Sequence, residues 1–138
     1  MKERTFSIIK PDAVKAGQAG EILARLEKAG FSLTALRLRH LSQAQVEGFY
    51  HVHRERPFFA SLCAFMSSGP CVTMVLERAD AVARLREIMG ATDPAKAAPG
   101  TIRKDFASSI EANCIHGSDG ADTARFEIGY FFPGLELL

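Results

Sequence analysis

The sequence has no tryptophan, only three cysteines and no excess of charge of either sign. Cys63, Cys71 and Cys114 form no C-x-x-C pair and are odd in number, which excludes a disulfide framework and a zinc site. We expect them to be buried, reduced thiols of a cytoplasmic protein. The formal net charge is +1. A near-neutral chain gives no electrostatic support for a dedicated nucleic-acid surface or for an acidic membrane as partner.

Long apolar runs are also missing. No segment approaches the roughly 18 consecutive apolar residues of a membrane helix, and the first residues lack the apolar stretch of a signal peptide. The sequence therefore predicts a cytoplasmic protein without a membrane partner. The phosphate-binding patterns GxxxxGK[ST] and GxGxxG are absent as well. Any phosphate recognition must therefore come from side chains.

The composition that is present suits one globular domain over residues 1–138. Hydrophobic residues make up 47% of the chain and charged residues 24%. A single core of this length supports folding without disulfides or a structural metal. No internal repeat, low-complexity tract or linker divides the sequence.

Apolar periodicity predicts an alternation of strands and helices. Strands are expected at residues 5–10, 31–41, 71–76 and 113–115, and helices between and after them. The order is roughly β-α-β-α-α-β-α-β-α. One split βαβ half followed by another is the ferredoxin-like pattern, an α/β (α+β) sandwich in which helices cover a four-stranded antiparallel sheet.

Several residues indicate where helices begin and end and where a strand is irregular. Ser42 is expected to cap a helix, Asp80 to cap another, and Gly90 to end that second helix. A shift of apolar parity after Ala35 indicates a bulge in the second strand. Residues 90–110 show no sustained period, and unstructured loops of that length are usually functional or disordered. This segment is interpreted as a long binding loop.

Individual polar residues carry little functional information by themselves. His116 ends an apolar strand and is followed by glycine, which suits a nucleophile, although a structural histidine is the commoner case. His51 and His53 lie two apart, make a poor metal pair and are expected at the surface or as caps. Tyr50 and Phe58 fit core positions or, for one of them, stacking on a base.

Six short motifs together resemble the nucleoside diphosphate kinase family over essentially the whole chain. They occur in order: TFSIIKPD at 5–12, FY at 49–50 with RPFF at 56–59, SGP at 68–70, MGATDP at 89–94, PGTIRKDF at 99–106 and NCIHGSD at 113–119. Each motif alone is weak, but a chance match of the whole series in register is very improbable.

The resemblance implies a ferredoxin-like fold and ping-pong transfer of a γ-phosphoryl group from ATP to nucleoside diphosphates through a phosphohistidine at His116. Ser118 and Glu127 match the neighbours of that histidine, and Glu127 would accept its second N–H. Phe58 matches the aromatic that stacks on the base. The positions around phosphates and sugar are Lys10, Tyr50, Arg86, Thr92, Arg103 and Asn113.

The resemblance further implies Mg²⁺ carried by the nucleotide phosphates, with no direct protein ligand, and a homo-oligomer, either tetramer or hexamer. Stacking on one aromatic face predicts weak base selectivity. Two positions depart from the family pattern: Gly120 stands where serine is common, and Glu111 where glycine often stands. The resemblance implies a phosphate contact at neither of these two positions. The end at Leu138 fits a short, bacterial-type member.

Two other function classes remain open. The ferredoxin-like fold also hosts RNA-binding modules, although the net charge and the absence of an aromatic RNP-type strand weigh against one here. A regulatory homologue that binds nucleotide without turnover is the third possibility, and the presence of His116 weighs against it.

Overall fold

A computed structural model describes residues 2–138, and its centre is a four-stranded antiparallel sheet. The strands are β1 (Lys2–Ile9), β2 (Ser32–Arg39), β3 (Cys71–Ala79) and β4 (Ile115–Gly117). They lie in the order β2-β3-β1-β4, so each of the two split halves contributes one central and one edge strand. This is the predicted ferredoxin-like fold.

Seven helices and three short 3₁₀ turns connect the strands within the described residues. The helices are α1 (Pro11–Lys15), α2 (Ala19–Lys28), α3 (Gln43–Phe49), α4 (Phe59–Met66), α5 (Ala81–Met89), α6 (Ile102–Phe106) and α7 (Ala121–Phe131). The 3₁₀ turns are His51–His53, Pro94–Lys96 and Gly134–Glu136. Across residues 2–138, no helix has both the length and the apolar character needed to cross a membrane.

Hydrophobic side chains fill both faces of the sheet. Because side chains alternate along a strand, Phe6 and Ile8 of β1 point to one face and Ile9 to the other. The helices α1, α2, α5 and α6 cover the Ile9 face, and α3, α4 and α7 cover the Phe6 face. Residues 71–76 of β3 are all buried, as predicted for a central strand.

Three local signals in the sequence are confirmed. The pairing of β2 with β3 shifts register between Leu33 and Ala35, which is the predicted bulge. The Ser42 hydroxyl accepts the Gln45 N–H at 3.1 Å, and the Gln45 side chain accepts the Ser42 N–H, forming a capping box. Gly90 ends α5 with a φ of 87°, a conformation that side chains disfavour.

Other expectations about local structure are wrong. The short helix α1, which Pro11 opens at its first position, was not expected. Asp80 stands at the start of α5 with a φ of 53°, and its side chain makes no cap hydrogen bond. The Glu3 carboxylate on β1 takes that role, accepting the Val82 N–H at 2.8 Å.

The segment at residues 90–110 is also more ordered than predicted. It contains a 3₁₀ turn and α6, whose first turn is capped by the Thr101 hydroxyl on the Lys104 N–H. Strand β4 begins two residues later than expected, because Cys114 adopts a φ of 63° that interrupts the extended backbone. Arg103 of α6 donates to the carbonyl of Ile115 in β4 at 2.7 Å, so the two elements lie side by side.

Candidate active site

One cleft lies beside the ends of β1 and β4. Lys10 follows the last residue of β1, and its backbone N–H donates to the Cys114 carbonyl at 2.9 Å. His116 is the middle residue of β4 and pairs with Ile8. The cleft has a volume of about 350 Å³. It is lined by eight of the expected site residues: Lys10, Tyr50, Phe58, Arg86, Thr92, Arg103, Asn113 and His116.

The other two expected residues, Ser118 and Glu127, fix the imidazole of His116. Nε2 of His116 lies 2.9 Å from Oε1 of Glu127, and the Ser118 hydroxyl donates to the same oxygen at 2.6 Å. An ionised carboxylate only accepts, so Nε2 carries the proton. Nδ1 then keeps its lone pair, and it makes no hydrogen bond with any residue from 2 to 138. In the neutral imidazole, this arrangement therefore leaves Nδ1 as the nucleophilic nitrogen.

Aromatic side chains surround this imidazole. Phe49 and Tyr50 meet the His116 ring edge-on, with ring centroids 5.6 and 6.2 Å away. Burial, and then the charge of Glu127, raises the pKa of the Tyr50 phenol far above its ordinary value. Tyr50 therefore keeps its proton at neutral pH and offers a hydroxyl donor to the cleft.

Lys10 is a buried cation that lines the same cleft. Only 7% of the residue is exposed, and burial, together with repulsion from Arg103, lowers the pKa of its amine to about 8. The carboxylate of Asp12 opposes this shift. Burial raises the pKa of Asp12, whose Oδ2 accepts the Cys114 N–H at 3.1 Å. The turn after β1 is thus joined to the segment before His116 through both the N–H and the carbonyl of Cys114.

Two arginines complete the positive wall. Arg103 of α6 is buried and donates to the carbonyls of Gly90 at 3.1 Å and Ile115 at 2.7 Å. Burial lowers its pKa to about 10, so it remains charged at neutral pH. Arg86 of α5 donates to the Gly117 carbonyl at 3.2 Å and lies 3.0 Å from Oδ1 of Asp119. Both guanidinium groups are therefore held by the backbone that flanks His116.

Gly117 permits the close packing that brings Arg86 to this wall. A Cβ at residue 117 would lie 2.6 Å from Sδ of Met89 and 3.0 Å from Cδ2 of Leu85. Without a side chain, β4 packs directly on α5, the helix that carries Arg86. The glycine after the histidine is therefore a packing requirement.

The remaining expected residues line the open part of the cleft. Phe58 stands at the start of α4 with 47% of the residue exposed, which is unusual for a large aromatic side chain. Asn113 is buried and donates from Nδ2 to the Thr92 carbonyl at 3.3 Å. This bond ties the loop after α5 to the segment that leads into β4.

Comparison with known protein families agrees with the arrangement of side chains in the cleft. The family model described as "Nucleoside diphosphate kinase" matches residues 3–137. The chain belongs to the nucleoside diphosphate kinase family. It is 64% identical to the nucleoside diphosphate kinase of Anaeromyxobacter sp. over 131 residues, which cover 95% of this chain and 90% of the relative. The Nitratidesulfovibrio vulgaris enzyme is 60% identical over 138 residues, covering 100% and 99%.

Solved nucleoside diphosphate kinase structures have the same fold. The Aquifex aeolicus enzyme superposes with a TM-score of 0.97 at 46% identity, covering 100% of each chain. The Halobacterium salinarum enzyme, solved in complex with CDP, gives 0.96 at 41% identity and covers 100% of this chain and 92% of that one.

Sequence reasoning missed several residues that line the cleft of this nucleoside diphosphate kinase homologue. His53, expected at the surface or as a cap, lines the cleft and lies 5.5 Å from the Phe58 ring. Its spacing of three from Tyr50 was the available signal, because such residues share a helical face. Four further lining residues went unremarked or were discounted: Leu62, Ile110, Glu111 and Asp119.

The chemistry of the cleft suits a polyanion better than a protein-bound metal. Lys10, Arg86 and Arg103 face the same space, and within residues 2–138 no group of three or more His, Cys, Asp or Glu side chains is placed to hold a metal ion. Positioned cations that stabilise the charge of a transferring group are what phosphoryl transfer requires.

Proposed function

We propose that this chain transfers the γ-phosphoryl group of ATP, or of another nucleoside triphosphate, to nucleoside diphosphates, supplying ribo- and deoxyribonucleoside triphosphates. The observation that carries the proposal is the pairing of His116 Nε2 with Glu127 at 2.9 Å, which leaves Nδ1 unprotonated in a cleft of three cations. Family membership adds to it, since the relatives that match nearly the whole chain are named for this activity.

The reaction follows a ping-pong course. The Nδ1 lone pair of His116 attacks the γ-phosphorus, the bond from phosphorus to the β,γ-bridging oxygen breaks, and the nucleoside diphosphate leaves with the bond electrons. A terminal oxygen of a second nucleoside diphosphate then attacks the phosphohistidine, the N–P bond breaks and its electrons return to Nδ1. Glu127, held by Ser118, stabilises the positive charge that develops on the ring during the first step.

The cations act on the phosphates during both steps. Lys10, Arg86 and Arg103 stabilise the charge on the transferring group, and Tyr50 and Thr92 donate hydroxyl hydrogen bonds. Arg103 is held at two carbonyls before the nucleotide arrives, so little reorganisation accompanies binding. Asn113 belongs to the sugar site and Phe58 to the base site, where one aromatic face accepts any base.

Magnesium enters with the nucleotide in this proposal. Two carboxylates line the cleft, Glu111 and Asp119, and Asp119 is already paired with Arg86 at 3.0 Å, so residues 2–138 supply no cluster of free carboxylates for a metal ion. Mg²⁺ prefers phosphate oxygens and water to such a donor set, so the phosphates rather than side chains would hold it. When bound, it neutralises phosphate charge and fixes the phosphate conformation.

We further infer a homo-oligomer, tetramer or hexamer, of one domain over residues 1–138. The edge strand β2 exposes Leu36 and Leu38, with 46% and 62% of each residue accessible. An apolar, unpaired edge of this kind favours association with another chain. The three cysteines are buried free thiols, which is consistent with the cytoplasm as its compartment.

Incubation with γ-labelled ATP and magnesium, without an acceptor, tests the proposed function. Label should remain on the protein, be lost in acid, survive alkali and leave on addition of GDP. His116→Ala should take up no label and show no turnover while retaining its fold by circular dichroism.

Two outcomes would contradict this function. Bound nucleotide without label would identify a regulatory homologue. Salt-sensitive RNA binding by His116→Ala, without competition from nucleotides, would indicate the nucleic-acid-binding module.

A further inference from the structure

The three residues before His116 form a strained turn. The Ile115 N–H donates to the Asn113 carbonyl at 2.8 Å, and Cys114 between them has a φ of 63°. A hydrogen bond between residues two apart, around a residue of positive φ, is the pattern of a γ-turn that is rare and strained. Strain maintained directly beside a reacting group points to a role in function.

Asp12 holds this γ-turn from the turn after β1. Its Oδ2 accepts the Cys114 N–H at 3.1 Å. The γ-turn carries the Asn113 side chain into the cleft and presents the Ile115 carbonyl, which accepts a hydrogen bond from Arg103 at 2.7 Å. The positions of the sugar-site amide, of one cation and of the histidine that follows therefore depend on a conformation that Asp12 stabilises.

The second oxygen of this carboxylate has no hydrogen-bond donor. Oδ1 of Asp12 is buried and accepts no hydrogen bond from residues 2–138. An ionised oxygen is costly to bury in this way unless an opposite charge lies near it. Burial raises the pKa of Asp12, and the charge of Lys10, two residues earlier, opposes that shift. The two opposite charges therefore stabilise each other without a hydrogen bond between the side chains.

Four charged or titratable groups face Lys10 from the elements packed against it. Arg103 of α6 disfavours the charged amine, whereas Asp12, the Cys114 thiol and Glu111 would each favour it when ionised. Burial raises the pKa of the Cys114 thiol to about 12, so this group is neutral at pH 7. Glu111 is exposed, and water screens its charge. Asp12 is therefore the main group that favours the charged form of Lys10.

We propose that Asp12 is a positioning residue for phosphoryl transfer, which fixes the turn before His116 and holds the Lys10 side chain in its charged form. The inference rests on the proposed function and adds to it a group outside the cleft lining. From that place the carboxylate attracts the ammonium group without contacting the phosphates, which it would repel. One side chain thus supplies both the geometry of the turn and the charge behind Lys10.

Asp12→Asn separates the two effects, because the amide keeps an oxygen for the Cys114 N–H and loses the charge. Dissociation constants of ADP with magnesium are measured by calorimetry at pH 6.5 and pH 8.5. The ratio of the value at pH 8.5 to that at pH 6.5 should be about 3- to 6-fold larger in Asp12→Asn than in the unmodified chain. The reason is that the amine of Lys10 loses its proton at a lower pH.

Asp12→Ala removes the acceptor as well as the charge. It should show the same change in the ADP ratio, and kcat at pH 6.5 should fall by about 10- to 100-fold, the scale of a small misplacement of reacting groups. Asp12→Asn should retain most of kcat at pH 6.5. Asp12→Ser, which is uncharged and smaller, replaces Asp12→Asn if that variant does not fold by circular dichroism.

Asp122→Asn is the matched control. Asp122 is the second residue of α7, as Asp12 is of α1, but it is exposed and lies outside the cleft. The control should leave both the ADP ratio and kcat unchanged. In a Lys10→Met background, Asp12→Asn should no longer change the ADP ratio, because the group through which it acts is gone.

Three results would refute the proposal. They are an unchanged ADP ratio in Asp12→Asn, an undiminished effect of Asp12→Asn in the Lys10→Met background, and an Asp12→Ala variant that loses stability in urea but keeps its kcat. Absence of transfer by the unmodified chain would instead reject the proposed function. The calorimetric ratio needs no transfer, so it would still decide whether Asp12 controls the charge of Lys10.

Discussion

Replacing Lys10 by methionine should make the protein more stable and much less active at the same time. Lys10 is buried with 7% exposure, and its pKa falls from 10.5 to about 8. At about 1.4 kcal/mol for each unit of pKa, the folded state carries a penalty of about 3 kcal/mol for the charged amine at pH 7. Methionine keeps an unbranched apolar chain without the charge, so the free energy of unfolding should rise by up to that amount.

The pH dependence separates this cause from better packing. Between the folded pKa of about 8 and the unfolded value of 10.5, the unfolded chain binds more protons at Lys10 than the folded chain. The stability of the unmodified protein therefore gains from this residue as pH rises through that window. The advantage of Lys10→Met should be complete below pH 8, fall to about 1 kcal/mol at pH 10 and vanish above 10.5.

Urea unfolding at pH 7 and pH 10, at one fixed protomer concentration, measures this difference. Lys28→Met, at an exposed lysine near the end of α2, serves as the control and should show no such pH-dependent gain. A loss of stability in Lys10→Met, or a gain of equal size at both pH values, would refute the buried-charge argument.

The same amine should control the pH profile of the reaction. Because kcat/KM reports groups of the free enzyme, it should fall as pH passes about 8, where Lys10 loses its proton. Bound phosphates favour the charged amine, so kcat should hold to higher pH. Lys10→Met should reduce kcat by about 10²- to 10³-fold, the usual loss for one positioned donor in phosphoryl or acyl transfer.

Three further substitutions test the neighbouring parts of the cleft. Gly117→Ala should cost about 1–3 kcal/mol in urea unfolding and lower kcat, since its Cβ would lie 2.6 Å from Met89 Sδ; unchanged values would show that β4 and α5 separate freely. Glu127→Gln should lower kcat by roughly 10- to 100-fold with little change in nucleotide affinity, and full activity would remove Glu127 from the mechanism. Phe58→Ala should weaken nucleotide binding by roughly 1–3 kcal/mol without loss of stability, because the ring is exposed; unchanged affinity in calorimetry would reject the stack.

The sequence predicted those parts of the fold that depend on neighbouring residues. The bulge after Leu33 follows from a change of apolar parity, the Ser42 box from two residues three apart, and the end of α5 from Gly90. In each case the residues that determine the feature lie within a few positions of it in the sequence. Apolar periodicity also sufficed to predict the alternation of strands and helices along the chain as two split βαβ halves.

The wrong predictions concern structure set by distant residues or by very short elements. Asp80 is a residue type that commonly caps helices, but Glu3 accepts the Val82 N–H of α5 instead. Glu3 lies 77 positions earlier in the sequence than Asp80 and is brought close by the pairing of β1 with β3. Helices α1 and α6 have five residues each, too few for a period to emerge. Cys114 departs from a strand because Asp12 and Lys10 hold both of its backbone groups, which no local pattern around residue 114 indicates.

The same distinction explains what could be predicted about the site. Its residues were recognised by resemblance, but their electrostatic state depends on burial that only the fold creates. Lys10 and Arg103 are cations with depressed pKa values, each placed where hydrophobic burial would favour an apolar side chain. The fold compensates Arg103 with two carbonyls and Lys10 with the nearby charge of Asp12. A bound nucleotide would place negative charge beside both cations, so part of its binding free energy would come from offsetting the cost of burying these charges.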